Sequence, residues 1–221
     1  MPPPLPPETI QALLEFDAPT ISNAIEHFRV RDPVAGYASL ELRCQFPDYK
    51  PMAGYAITVT ADTTTPGDKR PMRLDELLDV VHAAPKPAVL VYKHVGTDRL
   101  KSCFVGDMIC TSLQKLGVVG VVTDGGGRDA SGIRRRAPGF QIFSPGWVVS
   151  HGYVTFLDFG VTVSVCGLTI QPGDLLFGDE SGLLTVPLDI ADALIQRAAE
   201  MREGERQFFE FLESRDLSFQ E

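Results

Sequence analysis

Residues 117–129 read GVVGVVTDGGGRD, an apolar run that ends in a glycine-rich turn and an arginine–aspartate pair. The run 117–123 is continuous and rich in valine, as in a strand that a parallel sheet buries on both faces. A helical pattern at 106–116 precedes it, and Gly117 is typical of the residue that ends a helix. A helix that leads directly into a buried strand predicts a βαβ unit and therefore an α/β fold.

Helix and strand patterns continue to alternate on both sides of this unit. Asp17 has the position and chemistry of an N-terminal helix cap. Further helices are predicted at 8–16, 19–28 and 73–84, and further strands at 54–60, 88–92, 140–143, 161–165, 175–177 and 183–186. We expect one domain over 1–221, with a proline-rich lead-in at 1–8, a polar turn at 62–70 and a long C-terminal helix at 190–213. The predicted fold class is α/β, a mixed sheet or barrel with flanking helices in a sandwich-like α/β/β/α order.

Composition argues against several classes of protein. The chain carries a formal net charge of -9, which disfavours nucleic-acid binding because such binding draws on clustered lysine and arginine. The three arginines at 134–136 are interpreted as a solvated surface run. The four cysteines form no C-x-x-C pair, so neither a zinc cage nor a disulfide framework is expected. The N-terminus lacks signal-peptide features, and no apolar run reaches the roughly 18 residues that span a bilayer. We expect a cytoplasmic protein that binds neither nucleic acid nor membrane.

The charged residues around the βαβ unit are the candidates for chemistry. Twenty residues separate Asp107, at the start of the predicted helix, from Arg128 and Asp129 after the strand. A helix N-terminus and the C-terminal end of the next strand lie at one edge of an α/β sheet, where ligands bind. Carboxylate oxygens suit Mg²⁺ or Mn²⁺, and a guanidinium group pairs with carboxylates or enolates. The plainer alternative is that Asp107 only caps its helix and that the Arg128–Asp129 pair is exposed.

Several motifs resemble the RraA-like family, which includes the class II 4-hydroxy-4-methyl-2-oxoglutarate/4-carboxy-4-hydroxy-2-oxoadipate aldolases. The first is Gly106-Asp107, twenty residues, then Arg128-Asp129, with GVVGVVTDGGGRD as the strand and glycine loop. The stretch PGDLLFGDESGLLTVP at 172–187 is similar to a second family motif, and FDAPTISNAIEHF at 16–28 is similar to the opening helix. The resemblance covers roughly residues 10–205.

The resemblance implies a role for each of five residues. Asp129 is the protein ligand of a Mg²⁺ or Mn²⁺ ion, Arg128 contacts the oxo acid, and Asp107 holds a metal-bound water. The backbone amides of Met108 and Ile109 receive the substrate carboxylate. The implied activity is that of a class II pyruvate aldolase, a lyase that cleaves a 4-hydroxy-2-oxo acid, with oxaloacetate decarboxylase as a side activity.

The family also implies an assembly and an alternative function. A homotrimer or hexamer is expected, with the site at a subunit boundary and a glutamate from the neighbour's C-terminal helix, either Glu203 or Glu205. Members that resemble the regulator of ribonuclease E activity bind a protein partner without catalysis, and that function is the alternative. A methyltransferase is rejected because no G-x-G-x-G turn follows an early strand.

Some residues depart from the family pattern or leave their roles open. Gly126 and Gly127 stand where one or two side chains are expected, and this pair and the stretch 101–105 are both interpreted as places that line the distal end of the substrate. Residues 101–105 also differ from the expected small and aromatic pattern. His94 and His151 follow predicted strands and are either acid–base groups or structural residues, with His151 favoured because it follows the loop at 144–146. The remaining candidates are interpreted as structural: Cys103 and Cys110 as small buried residues, and Asp179 and Glu180 as a solvated turn.

Overall fold

A mixed eight-stranded sheet organises the computed structural model, which describes residues 3–66 and 72–214. Its strand order is β1-β7-β5-β3-β2-β11-β12, and β8 pairs with the far end of β2. The strands of the main sheet are β1 (Arg43–Cys44), β2 (Met52–Asp62), β3 (Ala88–His94), β5 (Val118–Thr123), β7 (Gln141–Ser144), β8 (Thr155–Phe159), β11 (Leu175–Asp179) and β12 (Gly182–Val186). Two small ladders join β4 (Cys103–Val105) to β6 (Gly126–Gly127), and β9 (Val163–Val165) to β10 (Leu168–Ile170).

The four central strands are parallel, and the flanking strands are antiparallel. β2, β3, β5 and β7 run in one direction, as expected when helices connect them. β11 and β12 form an antiparallel hairpin against β2, as the glycine- and proline-separated strands of this region predict. The helices are α1 (Pro7–Leu13), α2 (Ala18–Phe28), α3 (Leu74–Ala83), α4 (Asp107–Lys115), α5 (Ala130–Arg136) and α6 (Ala191–Glu213), with 3₁₀ turns at Arg99–Lys101 and Leu188–Ile190.

The parallel strands are buried on both faces, which explains their continuous apolar sequences. Leu90 and Tyr92 of β3 face one core, which α3, α4 and α5 cover. Val89 and Val91 face a second core, which the β9–β10 hairpin covers. A third core lies where α1, α2 and α6 pack on β2, β11 and β12. Alternate side chains therefore enter different cores, and the predicted α/β fold with a mixed sheet, flanking helices and a long C-terminal helix is confirmed.

Two aspartates fix the start of α2. The Asp17 carboxylate accepts a hydrogen bond from the Thr20 amide at 2.7 Å, which confirms the predicted cap. Asp179 was predicted to lie in a solvated turn, and that prediction is wrong. It is 1% exposed, and its carboxylate accepts hydrogen bonds from the backbone amides of Ala18 and Ser181, both at 2.7 Å. Burial is tolerated because both carboxylate oxygens are bonded.

The described residues omit parts of two predicted features. Residues 1–2 of the proline-rich lead-in and 67–70 of the polar turn lie outside the described part of the chain. None of the helices in the described ranges has the length and apolar character needed to cross a membrane.

Candidate functional site

A short parallel ladder brings the start of α4 to the arginine–aspartate pair. β4 pairs with β6, and the Arg128 amide donates to the Val105 carbonyl oxygen at 2.8 Å. Gly106 follows Val105 and is the N-cap of α4. A Cβ at Gly106 would lie 3.1 Å from Asp129 Oδ2 and 3.2 Å from Arg128 Nε, so the absence of a side chain there allows this close approach.

All five predicted site residues line one cleft of about 310 Å³. They are Asp107, Met108, Ile109, Arg128 and Asp129. The other lining residues are Met72, Leu74, Phe104, Gly106, Ser112, His151 and Val154. A larger cavity of about 540 Å³, beside the N-terminal segment, is lined by Leu5 and Pro187 among others, and its charged lining groups in the described chain are aspartates. We favour the smaller cleft because oppositely charged groups converge there beside a helix N-terminus.

Asp129 has a left-handed backbone, which directs its side chain away from capping α5. Its φ is 62° and its ψ is 37°, a conformation that aspartate adopts more readily than most residues. Among the described residues, no side chain caps α5, although Asp129 occupies the N-cap position. The carboxylate is partly exposed, and its Oδ2 lies 3.3 Å from Arg128 Nε. Such a backbone at a ligand cleft is a frequent feature of functional sites.

The Asp107 carboxylate has a partner that the sequence does not predict, because α5 holds it in place. Asp107 Oδ2 accepts a hydrogen bond from Arg136 Nη1 and forms an ion pair with it. A Cβ on Gly132 would lie 2.6 Å from the same oxygen, so α5 packs directly on this side chain. Sequence reasoning treated 134–136 as a solvated run and missed this contact. Arg134 is also paired, with Asp48 at 2.7 Å.

The first turn of α4 is open to an anion. The Cys110 amide donates to the Gly106 carbonyl oxygen at 3.0 Å, which begins the helical hydrogen bonding. Within the described residues, no side chain caps this helix, so the earlier amides, those of Met108 and Ile109, point toward the helix N-terminus. This end carries the positive pole of the helix dipole and suits a carboxylate.

The oxygen donors of the cleft suit a hydrated divalent cation. Asp129 and Asp107 supply carboxylate oxygens, which are hard ligands of the type that Mg²⁺ and Mn²⁺ prefer. Across residues 3–66 and 72–214, no group of three or more His, Cys, Asp and Glu side chains is placed to hold a metal ion. A cation bound by the one or two carboxylates of this cleft would keep several waters, the usual coordination of Mg²⁺ in proteins.

The two candidate histidines have different surroundings. His151 lines the cleft, and its Nδ1 lies 2.8 Å from the carbonyl oxygen of Gly152. Because a carbonyl only accepts, Nδ1 carries the hydrogen. His94 is buried away from the cleft lining, where its Nε2 lies 3.2 Å from Thr64 Oγ1. Burial lowers the pKa of His94, which favours its neutral form.

The two glycines of β6 accommodate aromatic and branched neighbours. A Cβ on Gly127 would lie 2.9 Å from the ring of Trp147, and one on Gly126 would lie 3.0 Å from the side chain of Val148. Both glycines are buried, and neither belongs to the lining of the cleft as the described residues define it. The structure therefore places the two glycines outside this cleft, whereas Phe104, from the other stretch that departs from the family pattern, lines it. The space expected for their side chains is filled from the segment after β7.

Asp124 also supports the loop, and sequence reasoning did not single it out. It follows β5, is 2% exposed, and accepts hydrogen bonds from the His94 amide at 2.9 Å and from Lys93 Nζ. Its position in the TDGGGRD turn, directly after a buried strand, was the available signal. Cys103 and Cys110 are fully buried, as predicted, and burial raises the pKa of both thiols.

The two candidate glutamates lie on α6, outside the cleft of their own chain. Glu203 is held by Arg206 at 2.6 Å and by Gln207 at 2.7 Å. Glu205 is exposed and has no hydrogen bond or ion pair with any described residue. Of these two glutamates, Glu205 is the one whose carboxylate is not bonded within the described part of its own helix.

Comparisons with known proteins place the chain in a family. An uncharacterized protein of Methanocaldococcus jannaschii is 29% identical over 134 residues, and a putative 4-hydroxy-4-methyl-2-oxoglutarate aldolase of Halalkalibacterium halodurans is 32% identical over 94 residues. These matches cover 60% and 42% of this chain. The chain spans 64% and 44% of those two relatives, less than two thirds of each.

A solved structure supports the same fold. Streptomyces coelicolor RraAS2, described as an unusual member of the RNase ES inhibitor RraA protein family, matches with a TM-score of 0.68 and 24% identity, over 96% of this chain and 99% of its own. At that identity the likeness concerns the fold alone. The sequence model of the RraA-like family (Aldolase/RraA) matches residues 18–185, so the chain belongs to the RraA-like family, as its motifs predicted.

Proposed function

We propose that the chain is a divalent-metal-dependent lyase that cleaves a 4-hydroxy-2-oxo acid to pyruvate and a second carbonyl compound. The single observation that carries this proposal is the shared cleft of Asp107, Arg128, Asp129 and the first turn of α4. These groups offer a cation ligand, a guanidinium group and amide donors, which match the oxygens of a 2-oxo acid. The relative named as a putative aldolase gives independent support.

Each residue has a distinct task in the proposed reaction. Asp129 is the ligand of the cation, whose contribution when bound is Lewis-acid polarisation of the oxo group. Arg128 donates hydrogen bonds to the oxygens that gain negative charge, and the amides of Met108 and Ile109 receive the carboxylate. Asp107 accepts the proton of the C4 hydroxyl through a water. The C3–C4 bond then breaks, its electron pair remains on C3 as the pyruvate enolate, and C4 becomes a carbonyl carbon.

The same groups predict oxaloacetate decarboxylase activity. Loss of carbon dioxide from oxaloacetate leaves the same enolate, so the stabilisation by Arg128 serves both reactions. The reaction needs no lysine Schiff base. Borohydride treatment with pyruvate is therefore expected to leave the protein mass unchanged, and a covalent pyruvyl adduct on a lysine would contradict the mechanism.

The test of the proposal is Mg²⁺-dependent pyruvate release from oxaloacetate by wild-type protein and by Asp129→Asn. Asparagine tolerates the left-handed backbone of residue 129 but removes the anionic charge, so folding is retained and activity falls about 100-fold or more. Asp79→Asn, at an exposed carboxylate of α3, is the matched control and keeps full activity. Activity that survives both EDTA and Asp129→Asn would rule out the lyase.

Two properties that accompany the proposal are assembly and location. We propose a homotrimer or hexamer in the cytoplasm, with the cleft completed at a subunit boundary. The exposed aromatic side chains of α6, Phe208, Phe209 and Phe211, support an additional contact surface on this helix.

A second candidate function is non-catalytic regulation through a protein partner. A structural neighbour is described as an unusual member of the RNase ES inhibitor RraA protein family, and the net charge of -9 is compatible with binding to a protein partner. The Asp129→Asn experiment separates the two functions. A regulator keeps its partner binding in that variant and has no metal-dependent pyruvate release in the wild type.

A further inference from the structure

The lining of the candidate cleft contains a set of charged side chains and a set of apolar ones. The tip of α4 and the residues after β6 supply Asp107, Arg128 and Asp129. The apolar set comes from β4, from residues just before and at the start of α3, and from the segment before β8. Its members are Met72, Leu74, Phe104 and Val154. We call these two sets the charged wall and the apolar wall of the cleft; the other lining side chains are Met108, Ile109, Ser112 and His151.

The apolar wall belongs to the protein core. Phe104 is 8% exposed and packs edge-to-face on Phe156, with 4.4 Å between the ring centroids. Leu74, the first residue of α3, and Val154, the residue before β8, pack on the same core cluster. Because these contacts fix the wall, a substrate group that lies against it meets a preformed apolar surface.

Within the described part of the chain, positive charge is scarce around these apolar side chains. Arg128 is the one lysine or arginine among the described lining residues. Arg73, which lies between two lining residues, is engaged elsewhere: its guanidinium bonds Glu76 at 2.6 and 2.7 Å and lies 5.0 Å from the centre of the Phe159 ring. Arg136 is engaged by Asp107. A second carboxylate on the substrate, placed beside these apolar side chains, would therefore have no lysine or arginine partner among the described residues of the subunit, which is unfavourable.

We propose that the substrate carries an apolar group at C4, so that the second product is an aliphatic or aromatic aldehyde or ketone and not an oxo acid. This inference rests on the proposed lyase function. The 2-oxo acid end lies at the charged wall, and the C4 substituent lies against the apolar wall. In the reaction the C4 hydroxyl loses its proton, the C3–C4 bond breaks, and C3 gains a proton to give pyruvate. A cleft of about 310 Å³ lies near the small end of ligand sites and suits a short substituent.

The test compares two substrates of equal size. 4-Hydroxy-6-methyl-2-oxoheptanoate and 4-hydroxy-2-oxoadipate differ in having an isobutyl or a carboxymethyl group at C4. We expect kcat/KM to be at least about tenfold higher for the isobutyl compound, because burial of an unpaired carboxylate is costly. Shortening the alkyl group is expected to lower kcat/KM by about fourfold for each methylene removed. Binding of 6-methyl-2-oxoheptanoate and 2-oxoadipate, which lack the C4 hydroxyl and are not cleaved, is expected to rank in the same order by calorimetry.

A variant of an exposed lining residue tests the role of the wall itself. Met72 is 48% exposed, so Met72→Arg is expected to fold. It introduces a cation and should move the preference toward the adipate compound by about tenfold or more. Met72→Gln has similar length without charge and should leave the ranking unchanged. His151→Gln is the control for the one histidine of the lining and should also leave the ranking unchanged.

The outcomes separate this inference from the proposed function. Exchange of the pyruvate methyl protons with solvent needs only the charged wall, so it reports the lyase site without the C4 group. If exchange occurs and the wild type prefers the adipate compound, the inference is wrong and the lyase proposal stands. If the preference for the adipate compound is lost in Lys69→Ala or Arg70→Ala, a cation from outside the described residues binds the second carboxylate. That result also overturns the inference. If neither exchange nor cleavage occurs with Mg²⁺ or Mn²⁺, the lyase proposal fails and this inference fails with it.

Discussion

At the scale of single residues, Arg136 positions a carboxylate that the proposed reaction uses. Its guanidinium pairs with Asp107 from the last turn of α5, whereas the adjacent Arg135 is exposed and bonds no described residue. We expect Arg136→Gln to lower kcat about tenfold, as loss of an orienting partner typically does, with little change in KM. Stability should change by less than about 1 kcal/mol, since both the arginine and the ion pair are at the surface.

The control for Arg136→Gln is Arg135→Gln, which removes the same charge one position away. Steady-state kinetics with oxaloacetate and thermal unfolding of both variants provide the measurement. Equal kinetics for the two variants would show that general loss of positive charge, and not the position of Asp107, determines the effect.

The buried thiols permit a second prediction at this scale. Burial raises the pKa of Cys103 to about 11 and also raises that of Cys110, although both lie next to the cleft-forming segments. At pH 8 about one Cys103 thiol in a thousand is then ionised, and only the thiolate reacts rapidly. Iodoacetamide labelling followed by peptide mass spectrometry should find both cysteines unmodified in folded protein and modified in guanidinium chloride. Rapid labelling of Cys103 at pH 8 would contradict its buried, neutral state.

At the scale of elements, two helical glycines make a matched pair. A Cβ on Gly204 of α6 meets no atom within 4 Å, whereas one on Gly132 of α5 lies 2.6 Å from Asp107 Oδ2 and 3.0 Å from Asp107 Cβ. Gly204→Ala should stabilise the protein by about 0.4–1 kcal/mol through helix propensity. Gly132→Ala has the same propensity gain but must displace Asp107, so we expect no net stabilisation and a fall in decarboxylase activity of about tenfold or more.

Urea unfolding of both glycine variants and oxaloacetate kinetics of Gly132→Ala check this prediction. The Gly204 variant gives the stability gain of an unobstructed substitution. A Gly132→Ala protein with that same gain and wild-type kinetics would show that α5 does not hold Asp107 in place.

The sequence predicts the long elements well because their signals are local. The helix at 106–116, Gly117 and the buried strand at 117–123 give a βαβ unit, and the structure has α4 and β5 there. β1 and β6, of two residues each, are too short for any periodicity, and their pairing is set by partners distant in sequence. α5 was missed because it is short and follows a left-handed residue, Asp129.

The convergence of the candidate residues on one cleft could be predicted, but the contacts among them could not. The edge rule for α/β sheets brings Asp107 to Arg128 and Asp129, since it depends only on element order. The ion pair with Arg136 depends on how α5 packs on α4, which no spacing reveals. The same holds for the place of Trp147 beside Gly127, because a loop contact depends on the final tertiary packing.

At the scale of the whole molecule, the C-terminal helix extends beyond the core that anchors it. The buried residues of α6 are Ala191, Leu194 and Ala198, all in its first third, although the helix continues to Glu213. The later turns expose Phe208 and Phe209, each more than half accessible to solvent. Exposed aromatic residues on a helix of this kind typically mark a contact surface, which supports the proposed homo-oligomer.

If the cleft is shared between subunits, two inactive variants should restore activity when mixed. Glu205 is the candidate contributed by the neighbour, since Glu203 is already bonded to Arg206. Glu205→Gln should therefore reduce activity strongly, and Glu203→Gln should reduce it little.

In a mixed ring of Asp129→Asn and Glu205→Gln subunits, a site is complete only where an intact Asp129 faces an intact Glu205. Random assembly from equal amounts makes about a quarter of the sites complete. Refolding the two variants together and measuring oxaloacetate decarboxylation should recover about that fraction of wild-type activity, while each variant refolded alone stays inactive. If light scattering finds a monomer that has full activity, the whole site lies within one subunit. The same conclusion follows if the mixture is no more active than its two separate variants.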